Sequence, residues 1–496
     1  MSSSTKERLE PAVIAAAVVV VLGTIMAILD TTIVAVALRT LSIDFHAPVS
    51  TVQWVTTGYL LSLAVVIPVS GWAIHRIGAK TVYMTSLALF VIGSALCACA
   101  WSADSLIIFR VLQGFGGGMI MPVGQAIMAR TAGPQKIGRV MGVIGIPQML
   151  GPILGPVLGG LIVSNTSWRW IFIVNVPIGL IALWYSRTNL APSEQDRDHR
   201  FDGIGFALLS PGLALIVYGL SEVGVTGGFH GRSVWCSLIS GTMLTALFAW
   251  RSLRAPEPLM DLRLFKDRTF SVSSVGIFLI GATLYGTMFL LPLYYQIDRG
   301  EAAWKAGLLM APQGIGAALV MRSAGALADK YGPRWVAVFG MSLMALGTLL
   351  YTTVSATTSY TFLALALLLR GIGLGFGMMP IFSASYRNLT HAAIPRASSA
   401  TNIIRQIGGS LGVAIFAVVL EGQITTRLGH QAGAMVQAGV GRPTLTELQS
   451  LAKAFGTSFW WSFGSIVLAI VPALFLPTGP VARPAAAPAP VAASAE

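Results

Sequence analysis

Residues 12–38 are apolar almost without interruption, and runs of similar length recur along the whole chain. Crossing the hydrocarbon core of a bilayer takes roughly 20 apolar residues in helical form. Lipid offers the backbone no outside hydrogen-bond partner, so every such run is expected to be a helix. Spans are predicted at 12–38, 50–72, 81–100, 105–128, 138–163, 169–187, 203–221, 233–251, 269–293, 303–322, 335–354, 360–384, 397–420 and 456–478. The expected fold class is an all-α polytopic membrane protein with about fourteen transmembrane helices. Only 10% of the residues are charged, against ~25% in soluble domains, which excludes an ordinary soluble enzyme.

The chain carries 32 Lys+Arg against 19 Asp+Glu. In a soluble protein that excess suggests nucleic acid. Here it reads as the positive bias of cytoplasmic loops, strongest between spans 8 and 9 at Arg251, Arg254, Arg263, Lys266 and Arg268. Both termini are therefore expected in the cytoplasm of a cell membrane, plasma or inner, with lipids and not nucleic acid as partners. The first run is longer than a signal-peptide core and lacks a polar cleavage region, so it is expected to stay uncleaved. Segment 188–201 reads as a solvated connector and 482–496 as a disordered Ala/Pro tail. In the outer loop 421–455, Thr444 and Glu447 have capping-box spacing. Cys97, Cys99 and Cys236 lie in apolar stretches, with no paired CxxC and no His at zinc spacing, which implies no disulfide, metal or cofactor.

The string Gly71-Trp-Ala-Ile-His75-Arg76-Ile-Gly78-Ala-Lys80 after span 2 returns after span 10 as Gly325-Ala-Leu-Ala-Asp329-Lys330-Tyr-Gly332-Pro-Arg334. Arg110 and Pro122 in span 4 correspond likewise to Arg370 and Pro380 in span 12. A repeat at this scale divides the chain into a six-helix half, 1–187, a segment 188–252 holding an inserted helix pair, and a second six-helix half, 253–481. Two like halves around a central site is the architecture of alternating-access carriers.

Among the acids, Asp30 alone sits well inside an apolar run. A carboxylate there costs about 2.5–3.5 kcal/mol on insertion scales, so it is expected to serve a purpose such as proton exchange. Arg110 is equally isolated in span 4, where residues 110, 113, 114, 117 and 118 share one helical face. A guanidinium does not deprotonate, so its expected role is to balance Asp30 or to meet an anion. Arg370 and Arg405 are expected to snorkel towards headgroups. Polar and aromatic side chains within the spans, namely Trp54, Tyr59, Gln113, Gln125, Gln148, Asn175, Tyr294, Gln296, Gln313 and Asn402, form the candidate lining of a substrate cavity. Apolar walls with a single buried acid favour a lipophilic, cationic substrate. In span 5, Gly151, Gly155 and Gly159 recur every four residues beside Pro152 and Pro156, a surface suited to close helix approach.

The loop strings resemble the loop signature of the major facilitator superfamily. Three further strings are similar to its fourteen-span drug:proton antiporter branch: Leu29-Asp30-Thr31-Thr32 in span 1, Arg110-Val-Leu-Gln113-Gly114 in span 4, and Gly151-Pro152-Ile-Leu-Gly155-Pro156-Val-Leu-Gly159-Gly160 in span 5. Trp168-Arg169-Trp170 before span 6, leading to Asn175-Val-Pro177, also fits that branch. The resemblance implies multidrug efflux by a monomer, with no enzymatic activity. It further implies gating by Gly71, His75 and Arg76 in the first loop and by Asp329 and Arg334 in the second. Gly151, Pro152, Gly155, Pro156 and Gly159 are implied to bend span 5 and seal its outward side. Three positions depart from the branch pattern, which usually has Asn at Ala35, Pro at Arg39 and Asp at His75; the third implies a weaker or differently paired gate. An ATP-driven pump or metalloenzyme is disfavoured, because the chain has no G-x-x-x-x-G-K-[ST] or HExxH string. Export of a specific metabolite such as a lipid or siderophore, and a passive channel or scaffold, are the competing readings.

Overall fold

The computed structural model describes residues 11–47, 49–132, 151, 154, 155, 157–163, 165–192, 201–226, 228, 229, 231–256, 258–355, 357–390, 393–429 and 444–479. Its helices are α1 (Pro11–Asp44), α2 (Val49–Val66), α3 (Val69–Ile77), α4 (Ala79–Ala98), α5 (Ala103–Ala132), α6 (Asn175–Asn189), α7 (Gly203–Thr226), α8 (Arg232–Ser252), α9 (Arg268–Leu293), α10 (Ala303–Leu309), α11 (Ala311–Tyr331), α12 (Pro333–Tyr351), α13 (Tyr360–Ser385), α14 (Ile394–Leu428) and α15 (Leu445–Leu474). No strand occurs among the described residues. Eleven of the described helices are long and apolar enough to cross a membrane, or twelve if α2 and α3 count as one span bent by 54°. Pro68 stands at that bend, where its missing N–H interrupts the helical ladder.

Several expected boundaries shift. The span expected at 303–322 is broken at Met310 into α10 and α11, and Gln313 and Arg322 make α11 less apolar than its neighbours. The span expected at 169–187 opens with one turn, Trp170–Ile173, before α6. Span 9 runs on past α9 through a π-helical turn, Tyr294–Asp298, and buries Asp298 at its end. Thr444 and Glu447 form the capping box that their spacing suggests, and α15 starts there at Leu445 and leads into the span expected at 456–478. Most of the span expected at 138–163, Gln148, Pro152 and Pro156 included, lies outside the described residues, as do segment 193–200 and the tail.

The two loop strings fold alike. Gly78 and Gly332 close α3 and α11 with φ of 92° and 90°, a conformation that strains any residue with a Cβ. Their N–H groups donate to Ile74 O at 3.0 Å and Ala328 O at 2.9 Å. Two residues on, Lys80 Nζ donates to Arg187 O at 2.9 Å and Leu190 O at 2.5 Å, while Arg334 Nε donates to Leu476 O at 2.7 Å. Each basic residue thus satisfies carbonyls left open at a helix end. Asp329 sits in the last turn of α11, three residues before Gly332.

The core follows from packing of small residues. A Cβ on Gly93 would lie 2.6 Å from Gln113 Cα, so α4 and α5 touch backbone to backbone. Cβ atoms on Gly151, Gly155 and Gly159 would meet Ile28 at 2.0 Å, Thr32 Oγ1 at 2.0 Å and Ile33 at 3.1 Å, which presses the glycine stripe onto α1 beside Asp30. The α7–α8 hairpin sits at the seam, with α7 against both α2 and α14. Large apolar side chains such as Trp184, Ile239 and Leu319 are left outside, where lipid is their natural solvent.

Candidate functional site

Asp30 lies near the middle of α1, completely buried. Four other elements bring polar groups to it. Arg110 from α5 pairs with Oδ2 through Nη1, also fully buried. Gln113 Nε2 and Asn175 Nδ2 each donate to Oδ1 at 2.9 Å. Ser94 Oγ on α4 accepts from Gln113 Nε2 at 2.7 Å, and Arg110 Nη1 also donates to Gln113 Oε1 at 2.7 Å. Arg110 Nε donates to Val55 O at 3.1 Å on α2, and its guanidinium lies 4.1 Å from the centre of the Tyr59 ring. Asp30 thus has a cation and two amide donors. In a low-dielectric interior such a pair holds only if its hydrogen bonds are complete. One arm is open, because Arg110 Nη2 is buried without a hydrogen-bond partner among the described residues.

Beside this cluster lies a cavity of about 260 Å³. Its wall comes from α1, α2, α5 and α7 on one side and from α9 and α14 on the other. Ala27, Ile28, Leu60, Leu63 and Val413 make it largely apolar, and Thr31, Tyr59, Tyr285, Asn402, Gln406 and Ser410 supply polar groups. Tyr59 belongs to both features, with one face on Arg110 and an edge in the cavity wall. One end of this seam is shut by direct bonds from α14 to α5 and α3. Ser70 Oγ meets Ser399 Oγ at 2.5 Å, Ser398 Oγ donates to Pro122 O at 2.8 Å, and Asn402 Nδ2 donates to Gln125 Oε1 at 2.7 Å. Gly71 lies there too, where an added Cβ would be 3.5 Å from Arg396 Cα.

Of the residues expected to line a cavity, Tyr59 and Asn402 do so. Gln113 and Asn175 belong to the Asp30 cluster instead, and Gln125 to the closed seam. Trp54 is exposed and stacks on Tyr218. Tyr294 packs on Phe455 and Phe459, and Gln296 is exposed. His75 is half-buried and Arg76 exposed in the last turn of α3. Arg370 and Arg405 do not snorkel. Arg370 is buried in α13, with Nη1 on Gln313 Oε1 and Nε on Thr348 Oγ1 at 3.0 Å. Arg405 is buried in α14 and forms part of the cavity wall. Each stands inside its helix and not at a membrane-facing end, and tertiary packing turns both inward. The expectation of a cationic substrate rested on an acid facing it. Asp30 is enclosed by its own donors, and no carboxylate is among the described residues of the wall. Gly408-Gly409-Ser410-Leu411-Gly412 has the spacing of a hydrolase nucleophile turn, but it lies within continuous α14, without the strand such a turn needs. Among the described residues no group of His, Cys, Asp and Glu could hold a metal ion.

Helices α1, α2, α5 and α7 thus face α9 and α14 across a largely apolar cavity. The pattern of the Major Facilitator Superfamily matches residues 20–413. The chain belongs to the major facilitator superfamily. This facilitator is 38% identical over 495 residues to the multidrug resistance protein B homolog of Mycobacterium tuberculosis, covering 96% of this chain and 92% of the relative. It is 31% identical over 404 residues to the putative multidrug resistance protein MdtD of Escherichia coli O81, covering 81% of this chain and 85% of that one. Its fold is similar to that of the proton:xylose symporter XylE, with a TM-score of 0.61 at 16% identity over 94% of this chain and 96% of that one. As a facilitator it is a transporter and not an enzyme.

Proposed function

We propose that this facilitator exports lipophilic drugs in exchange for protons, by alternating access between a six-helix half at 1–187 and another at 253–481. The observation that carries the reading is the position of Tyr59, shared between the enclosed Asp30–Arg110 pair and the cavity wall. A change in the charge of Asp30 would release Arg110 from its partner, shift the cation under Tyr59 and so alter the wall that meets the substrate. Each proton moving inward contributes ~2.3 kcal/mol per 100 mV, enough to raise a drug gradient severalfold.

In this reading the protein has fourteen spans. The further two are the one around Gly151–Gly159 and α11, whose place in the second half matches that of α2–α3 in the first. The excess of basic residues in the loops between spans 2 and 3 and between 8 and 9 puts both termini in the cytoplasm of the cell membrane. The seam closed by Ser70, Ser398 and Ser399 then faces the cytoplasm, and Gly71, His75, Arg76, Asp329 and Arg334 flank it as a gate. The glycine stripe on α1 forms part of the outward gate.

The test is proton-driven uptake of a fluorescent drug into everted vesicles. Asp30→Asn keeps the shape and most hydrogen bonds but cannot titrate, so expression is expected near the wild-type level and drug accumulation is expected to vanish. Accumulation against a gradient by the Asn variant would place coupling elsewhere.

A further inference from the structure

Arg405 is the only formally charged side chain among the described residues of the cavity wall. It is 8% exposed. All of its hydrogen bonds go to uncharged groups. Nη1 donates to Tyr285 Oη at 3.0 Å, and Nη2 donates to Asn402 Oδ1 at 3.0 Å and contacts Met121 Sδ at 3.1 Å. Nε is buried with no hydrogen-bond partner among the described residues. Arg405 makes no ion pair among the described residues, and Asp30, the buried acid beside the cavity, is committed to Arg110, Gln113 and Asn175.

A buried cation without a counter-ion is costly, and neutral donors and acceptors recover only part of its lost hydration. The Asp30–Arg110 pair is close to neutral as a unit, so the field in the cavity is set by Arg405. An apolar wall with one guanidinium and the hydroxyl and amide groups of Thr31, Gln406 and Ser410 is built to take an apolar body with one acidic group. A planar guanidinium pairs with carboxylates and related oxyanions by charge-assisted hydrogen bonds. We infer that Arg405 is the specificity-determining residue of the central cavity and that the preferred cargo is a lipophilic acid carried as its anion. This deepens the efflux reading and rests on it for the direction of transport.

The experiment uses the full-length protein in liposomes and three probes of one skeleton: 1-naphthylacetate, the neutral 1-naphthylacetamide and the cationic 1-naphthylethylammonium. Binding is measured by titration calorimetry, and proton-driven transport of the same probes in everted vesicles. Wild-type protein is expected to bind the acid at least tenfold more tightly than the cation. Arg405→Gln is expected to lose tenfold or more for the acid while leaving the amide unchanged, and Arg405→Lys to recover part of the loss as a point charge. Equal or tighter binding of the cation by the wild type, no binding of the acid, or a parallel loss of acid and amide in Arg405→Gln would overturn the inference; the wild-type comparison decides even if the variants do not fold. Collapsing the proton gradient with a protonophore separates the two readings, because it is expected to stop driven transport and leave Arg405-dependent binding of the acid intact. Binding of the acid with no driven transport of any probe would instead defeat the efflux reading alone.

Discussion

Arg110 and Arg370 occupy like places in the two halves and meet different fates. Arg110 faces Asp30, whereas Arg370 has only Gln313 and Thr348 among the described residues. In the proposed two-half scheme one half therefore has an ion pair at this place, and the other a buried cation with no carboxylate partner among the described residues. If Arg110 balances Asp30, Arg110→Lys keeps charge but loses the bonds to Val55 O and Gln113 Oε1, and initial efflux is expected to fall tenfold or more with a shifted pH profile. An unchanged rate and profile would reduce Arg110 to a packing anchor. Arg110→Ala leaves a buried carboxylate unpaired, which costs about 3–5 kcal/mol. Thermal unfolding in detergent is expected to show that loss, and Asp30→Asn combined with Arg110→Leu is expected to recover most of it while remaining unable to transport. Asp30 and Arg110 were legible because a charge inside an apolar run is visible without any structure. That Gln113 and Asn175 serve Asp30 and not the substrate was hidden, since a helix position says nothing about which neighbour faces it.

At the scale of elements, the glycine stripe and the two turns of α3 and α11 have different physical reasons. Gly78 and Gly332 are required by positive φ; Gly155 and Gly159 are required by the nearness of α1. The contact at Gly155 is the tighter, at 2.0 Å from Thr32 Oγ1 against 3.1 Å for Gly159 at Ile33. Gly155→Ala is therefore expected to destabilise by ~1–3 kcal/mol, as overpacking does, and Gly159→Ala by less. Unfolding midpoints in detergent check the order, and equal effects would mean that the stripe does not pack as described. The spacing of the stripe announced a close approach, but the partner helix and the place of contact beside Asp30 came only with the tertiary structure.

For the whole molecule, alternating access requires the seam at Ser70 and Ser399 to open. With Cys99 and Cys236 replaced by Ser, since both are exposed, Ser70→Cys with Ser399→Cys is expected to form a disulfide, because the hydroxyls stand 2.5 Å apart. Oxidation should arrest transport and reductant restore it; unimpaired transport by fully cross-linked protein would show that this end never opens. Topology has its own check. Reporter fusions at Gly228 and Pro192 are expected to read outside and inside, and the reverse pattern would overturn the proposed orientation. By itself the sequence determined the all-helical membrane class, most of the described helices, the pair of loop signatures and the acid set deep inside an apolar run, because each depends on local hydropathy, φ preference or the cost of burying a charge. Only the tertiary structure decided that Arg405 is part of the cavity wall while Gln125 ties the seam, that Tyr59 joins the Asp30–Arg110 pair to the cavity, and that no acid is among the described residues of that wall. Those facts depend on which helix faces meet across the two halves, and residues hundreds of positions apart carry no local mark of meeting.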